Sequence, residues 1–237
     1  MNELSTQEFF EILFGESEGF LFLGWRNDEG ELNQFKPLRY PDALDTAAKI
    51  VELHKDEDVY FSPMLYSVPR RKKSTVQVTP VCYADTDQFD PARYNIAPTL
   101  NVQTSEGHTH SYWVLDSVEY SREDVSRVSR AIAMAHDERD ADGNKIGVDP
   151  SGWDLTQLLR VPGTKNTKRG KAEPVYVRDF TGAIYSLEEL ADAYDPQNVA
   201  AVDIHVASSM TTNIPDPMDV LPRVPSIKRP SNPYSTD

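Results

Sequence analysis

Three short stretches of the chain gather side chains that can act on a charged substrate. In the first, Asp85-Thr86-Asp87 closes an apolar run from Val78 to Ala84. Residues i and i+2 of a strand share a face with their Cα atoms ~6.5 Å apart, so the two carboxylates would converge. Two anions so placed repel unless a cation lies between them. A hard divalent ion such as Mg²⁺ takes one or two protein carboxylates together with phosphate oxygens and water. The same spacing also suits a strand that simply ends in a polar turn, with Asp85 or Asp87 capping the residues from Gln88 onward. In the second stretch, His108-Thr109-His110 leads into Tyr112-Trp113-Val114, and alternation puts His108, His110 and Tyr112 on one face. A positioned imidazole can contact a phosphate oxygen, bind a metal or move a proton, although a surface strand with polar residues has the same pattern. The third runs from Val148 to Lys168 and contains Asp149, Asp154, Arg160, Pro162-Gly163, Lys165, Asn166 and Lys168. A turn flanked by cations and bare amides offers donors to an anion. It lacks the GxxxxGK[ST] of a Walker loop, and a helix followed by a basic solvated loop would read similarly. With Cys82 as the only cysteine, no intrachain disulfide, CxxC pair or all-cysteine zinc site can form. Any catalytic metal is therefore left to oxygen or imidazole ligands.

These stretches need elements to hold them. Ser5-x-x-Glu8 before Phe9, Phe10, Ile12 and Leu13 has the form of a capping box, predicting a helix that stops near Gly15. A short apolar run at 19–25 reads as a strand, and 43–57 carries apolar residues at helical spacing. The β-branched and aromatic runs 59–67 and 76–87 predict strands, with Arg70, Arg71, Lys72 and Lys73 in the loop between them. Residues 99–115 read as a hairpin turning at Glu106-Gly107, and 121–138 as a helix with serine and acids at its start. Strand-like runs at 175–177 and 183–185 and a helix around 186–194 follow. Strands and helices without regular βα alternation predict an α+β fold.

The 237 residues suit one large domain or two small modules. No run approaches the ~18 apolar residues of a membrane span, and the first residues lack the basic start and cleavage site of a secretory signal. A soluble, cytoplasmic protein is expected. Its 24 basic residues against 38 acidic ones give a net charge of −14, which argues against a non-specific nucleic-acid coat. The positive charge is nonetheless concentrated at Arg70 to Lys73 and from Arg160 to Lys171, so a local basic groove on an acidic body is expected. Pro215, Pro217, Pro222, Pro225, Pro230 and Pro233 mark 206–237 as a proline-rich linker or tail.

In their order, an acid pair on a strand, a histidine on a strand and an acid before Arg-x-Pro-Gly-Thr-x-Asn-x-Lys, the three stretches resemble the archaeo-eukaryotic primase superfamily. The likeness is to the primase-polymerase domains of phages and plasmids. CYADTD (82–87) looks like the first motif of that family, SEGHTHSYWVL (105–115) like the second and VDPSGWDLTQLLRVPGTKNTK (148–168) like the third. The similarity spans about residues 55 to 170. It implies an N-terminal α/β module packed with an RNA-recognition-motif-like sheet module, the catalytic domain occupying 1–205. It implies template-dependent nucleotidyl transfer, a DNA primase and polymerase activity, in phage or plasmid replication. Asp85, Asp87 and Asp149 would hold two Mg²⁺ or Mn²⁺ ions, with Asp154 the alternative third ligand. His110, Arg160, Lys165, Asn166 and Lys168 would bind the nucleoside triphosphate, and Arg70 to Lys73 the single-stranded DNA template. Some relatives carry a cysteine and histidine zinc element; the single cysteine predicts none here. A helicase module beyond the tail is the usual partner in that family, and with a net charge of −14 weak DNA affinity is expected for this chain alone. A second resemblance is to rolling-circle endonucleases, which hold a metal with His-x-His and use a tyrosine nucleophile. Tyr120 is the nearest candidate, but Thr109 stands where that family has a bulky apolar residue. A non-catalytic replication protein that only binds nucleic acid is the third reading.

Overall fold

The computed structural model describes residues 4–26, 32, 34–168 and 170–194. The proline-rich segment at 206–237 lies outside the described residues. The first half comprises α1 (Thr6–Phe14), β1 (Gly19–Trp25), β2 (Gln34–Tyr40), α2 (Leu44–Leu53), β3 (Val59–Phe61), β4 (Leu65–Tyr66) and β5 (Val76–Val78). Next come β6 (Val81–Thr86), β7 (Leu100–Ser105), β8 (His108–Leu115) and α3 (Arg122–Ala135). The chain then forms β9 (Leu159–Arg160), β10 (Lys165–Asn166), β11 (Glu173–Pro174), β12 (Tyr176–Phe180), β13 (Ile184–Tyr185) and α4 (Leu187–Tyr194).

The capping box forms as expected: the Ser5 hydroxyl accepts from the Glu8 amide, and the Glu8 carboxylate accepts from the Ser5 amide at 2.8 Å. One sheet runs β5-β4-β1-β3-β9, with β2 pairing along the other edge of β1. The second runs β12-β7-β8, with β6 on the far side of β8 and β13 continuing beside the end of β8. Both sheets are antiparallel apart from the β8/β13 pair, and helices pack against them, so the fold is α+β. Among the described residues no helix is long and apolar enough to cross a membrane.

Alternation along β6 and β8 divides the core in two. Val81, Tyr83 and Tyr112 join Phe9, Phe10 and Phe61 in a cluster with the first sheet, α1 and α2. Cys82, Ala84, Trp113 and Leu115 pack on Val125, Val128 and Ile132 of α3 and Leu190 of α4. Each large apolar side chain so buried contributes roughly 1.5–3 kcal/mol, which fixes the register of both strands. The site residues inherit that register: Asp85 follows Tyr83 on the face toward the first sheet, and His110 precedes Tyr112 on the same face.

Several expectations need correction. The helix expected to reach residue 57 ends at Leu53. The run 59–67 breaks into β3 and β4 around Pro63, and 76–87 breaks at Pro80, because proline brings no N–H to a ladder. Residues 148–168 form no helix; turns and the two-residue strands β9 and β10 occupy them. The strand β2, which holds Pro37, Lys36 and Arg39 in an unbroken register with β1, has no counterpart in the expected elements.

Candidate nucleotide-binding cleft

Where β6 ends, its partner β8 sets Asp85 opposite His110, and the same face carries Asp87 and His108. Asp85 Oδ1 lies 3.6 Å from His110 Nε2, and Asp87 Oδ1 lies 3.4 Å from His108 Nδ1. These four side chains line a cleft of about 320 Å³ whose opposite wall is Arg26, Tyr60, Arg160, Asn166 and Lys168. The alternation expected for His108, His110 and Tyr112 is present, with Tyr112 continuing into the core.

Asp149 reaches this place through backbone pairing. After α3 the chain turns back, Val148 bridges to Thr86, the Asp87 amide donates to the Gly147 carbonyl at 3.1 Å and the Asp149 amide donates to the Asp85 carbonyl at 2.7 Å. Gly152 closes the turn against Asp85: a Cβ at position 152 would stand 2.9 Å from the Asp85 Cβ and 3.4 Å from its amide nitrogen. Only glycine fits that approach without a shift. Gly152→Ala should therefore displace Asp149 or Asp85, and a misplacement of ~1 Å at a reacting centre costs up to about 100-fold in rate. We expect a rate loss of about tenfold or more with a melting temperature within a few degrees of wild type, read by parallel kinetics and thermal unfolding.

Asp154, the alternative third ligand, is placed differently. Its carboxylate pairs with Lys73 and accepts from the Thr156 amide at 2.8 Å, while its carbonyl accepts the Tyr83 hydroxyl. Burial would raise its pKa, but Lys73 and Thr156 hold it below the usual carboxylate value. Asp149, not Asp154, acts electrostatically on Asp85, whose carboxyl is pushed up to about 7 by burial first and then by Asp87 and Asp149. Lys168 and Arg160 offset part of this. The acidic side thus carries more negative charge than its neighbours balance, and its donors are oxygens, which is the environment a hard divalent cation fits. Among the described residues no three His, Cys, Asp or Glu side chains form a closed ligand set, and the Asp149 carboxylate is turned onto Lys145 and Ser151. Asp85 and Asp87 offer the two carboxylates that such a cation needs beside substrate oxygens.

His110 is held as a neutral donor. The Arg160 amide donates to its Nδ1 at 3.3 Å, which leaves the proton on Nε2, facing Asp85 and the cleft. Burial lowers its pKa to about 3, helped by the Arg160 and His108 charges.

The basic wall rests on Asp58, a buried carboxylate that the sequence reading passed over. It binds the Arg160 guanidinium, lies 3.3 Å from Arg26 Nε and accepts from both the amide and the hydroxyl of Thr167. Arg160 itself is buried and lies over the Tyr60 ring, 4.7 Å from its centroid. Asn166 lines the cleft, but its amide group is committed: it donates to the Thr104 carbonyl at 2.9 Å and accepts from the Lys168 amide at 3.1 Å. These bonds place it in the turn that carries Lys168.

Two expected groups lie elsewhere. Lys165 pairs with Asp56 at 2.6 Å and lines a separate cavity of about 660 Å³ with Lys55 and Tyr176. In the basic loop, Arg71 donates to the Thr156 carbonyl and lies over Phe35, and Lys73 pairs with Asp154, while Arg70 and Lys72 are exposed. Tyr120 is also outside the cleft, its hydroxyl between Asp116 and Glu188 at 2.9 and 3.2 Å and accepting from the Leu187 amide.

No family model matches the chain, and no curated protein matches it. Solved structures do. The catalytic domain of primase RepB′, crystallised in complex with initiator DNA, superposes with a TM-score of 0.54 at 17% identity over 84% of this chain and 97% of that one. A longer chain of primase RepB′ gives 0.55 at 17% identity, over 84% of this chain and 64% of that one. The AEP domain of the cyanophage S-2L primase-polymerase gives 0.52 at 14% identity, over 78% of this chain and 95% of that one. The chain has the archaeo-eukaryotic primase fold. At this identity the likeness is one of fold, so the roles of side chains rest on their own geometry. Within the primase fold, Asp58, Arg26, Tyr60 and Gly152 are the site residues that sequence reasoning missed. Asp58 sits in an acidic run, Asp56-Glu57-Asp58, before a strand, which is indistinguishable by type from a solvated turn.

Proposed function

We propose that this chain is a template-dependent nucleotidyltransferase, a primase-polymerase in which the 3′-hydroxyl of a primer or initiating nucleotide attacks the α-phosphate of a nucleoside triphosphate on a single-stranded DNA template and expels pyrophosphate. The supporting observation is the bipolar cleft: Asp85, Asp87 and His110 line one side and Arg26, Arg160 and Lys168 the other, and the Asp149 backbone is tied beside Asp85. A triphosphate is the substrate that needs both halves, since its phosphates require cations and its transfer requires charge neutralisation at the reacting oxygens. Asp85, Asp87 and Asp149 would hold two divalent ions, Mg²⁺ or Mn²⁺. Bound there, the ions supply Lewis acidity at the attacking and leaving oxygens. His110 donates from Nε2–H to a phosphate oxygen, and its neutral state keeps it a donor without adding charge. Arg160 and Lys168 neutralise the triphosphate, and Asp58 holds the Arg160 guanidinium in the wall. The exposed Arg70 and Lys72 contact the template backbone, each such contact adding to the salt dependence of binding. The setting is phage or plasmid replication in the host cytoplasm, with a helicase module as partner.

The experiment is labelled nucleotide incorporation on a single-stranded template with Mg²⁺ or Mn²⁺. Template-dependent product supports the reading. Its absence under both ions refutes it, as does an Asp87→Ala variant with all activity intact, which would mark a binding protein. Asp149→Ala should lower incorporation about 100-fold, whereas Asp154→Ala should retain most of it, a comparison that the same assay makes directly.

A further inference from the structure

We propose that Lys145 is a built-in counter-ion for Asp149 beside the cleft, holding its carboxylate when no cation is bound and releasing it when a divalent ion arrives. The inference rests on the divalent-ion reading above. Lys145 Nζ lies 2.9 Å from Asp149 Oδ1, and the same oxygen accepts from the Ser151 amide at 3.0 Å and the Ser151 hydroxyl at 2.9 Å. No hydrogen bond reaches Asp149 Oδ2 among the described residues.

The two ends of this contact are anchored independently. The Lys145 backbone pairs with Arg139 in a small hairpin, whose turn is locked by Asp140 accepting from the amides of Asp142 and Asn144 at 2.9 and 2.8 Å. The Asp149 backbone is tied to Asp85 through its own amide. Only the lysine side chain, 37% exposed, has to move for the contact to open. A partly exposed ion pair contributes about 1 kcal/mol or less, so a divalent ion competes with it readily. Ser151 keeps its two bonds to Oδ1, so the carboxylate stays oriented after the ammonium leaves.

The consequence has a sign that a purely structural lysine would not give. Removing the Lys145 charge removes a competitor for Asp149, so cation affinity should rise rather than fall. It also leaves three carboxylates without that compensation in the cation-free protein.

The test is Mn²⁺ titration followed by electron paramagnetic resonance of the free ion, on wild type, Lys145→Met, Lys145→Gln, Lys145→Arg and Asp149→Asn. The two neutral variants should bind Mn²⁺ about fivefold more tightly, the most that such a pair is worth. Lys145→Arg should stay near wild type, and Asp149→Asn should bind more weakly. In a chelator, Lys145→Met should melt below wild type, and saturating Mn²⁺ should remove the difference. Unchanged or weaker Mn²⁺ binding in both neutral variants, with wild-type binding intact, overturns the counter-ion role alone. No Mn²⁺ binding by the wild type overturns the divalent-ion reading beneath it.

Discussion

Asp85→Asn should reduce nucleotide incorporation by about 10³-fold or more while making the cation-free protein more stable. Loss of one charged group at a developing phosphoryl charge removes several kcal/mol of transition-state stabilisation, and in the function proposed above the lost group is also a cation ligand. Stability moves the other way because the folded state resists ionisation at this position. Its carboxyl is displaced from 3.8 to about 7 by burial, Asp87 and Asp149. The full displacement would correspond to on the order of 4 kcal/mol, and solvent reaching a side chain that is 33% exposed reduces it below that. Well below pH 3.8 Asp85 is neutral in both folded and unfolded chains and costs nothing. As pH rises from about 4 toward 7 the unfolded chain is already ionised while the folded one still holds its proton, so the wild type loses stability progressively relative to Asp85→Asn. Above pH 7 the deficit is complete. Thermal melts in a chelator at pH 4 and pH 8 check this: the two proteins should lie close together at the lower pH and differ by about 5 °C or more at the higher. A variant that is inactive and also less stable at pH 8 would mean that Asp85 is a packing residue.

The same opposition of function and stability explains what the sequence could disclose. Features written in local periodicity were legible: the Ser5/Glu8 capping box, the alternation that brings His108 and His110 to one face, and the acid pair on an apolar strand. Each follows from backbone geometry alone. Facing was harder wherever strands shrink to two residues. In β10, Asn166 turns toward Thr104 of β7, so its neighbour Lys165 must point to the other side, where it meets Asp56. No run of two residues carries enough pattern to say which of the pair faces the cleft. Asp149 follows apolar Val148, and that valine bridges to Thr86 and ties the Asp149 backbone beside Asp85. Asp58 and Gly152 act through residues far away in the chain, Lys145 through Asp149 four residues on, and the types of all three fit an ordinary turn equally well. They became visible only through what touches them.

The basic wall yields the other large effect. Asp58→Asn should destabilise the protein by roughly 3–5 kcal/mol and raise the KM for nucleotide more than it lowers kcat. The carboxylate is almost wholly buried, and so is Arg160, so the substitution leaves a cation in the interior with no anion to balance it. Thr167, whose amide and hydroxyl both donate to this carboxylate, loses its anchor at the same time, and with it the turn leading to Lys168. Burial by itself would raise the Asp58 pKa, but Thr167 and Arg160 outweigh it and hold the group below its usual value of 3.8. Its contribution to stability is therefore present above about pH 4 and is lost as pH falls through the lower folded value. The decisive comparison is the double variant Asp58→Asn/Arg160→Met. Removing both charges removes the unpaired cation, and replacing a buried pair with apolar volume is often neutral or stabilising. The double variant should thus recover most of the melting temperature lost by Asp58→Asn, yet incorporate nucleotide no better, because the guanidinium proposed to meet the triphosphate is gone. Recovery of both stability and nucleotide affinity would show that Arg160 serves the fold and not the substrate.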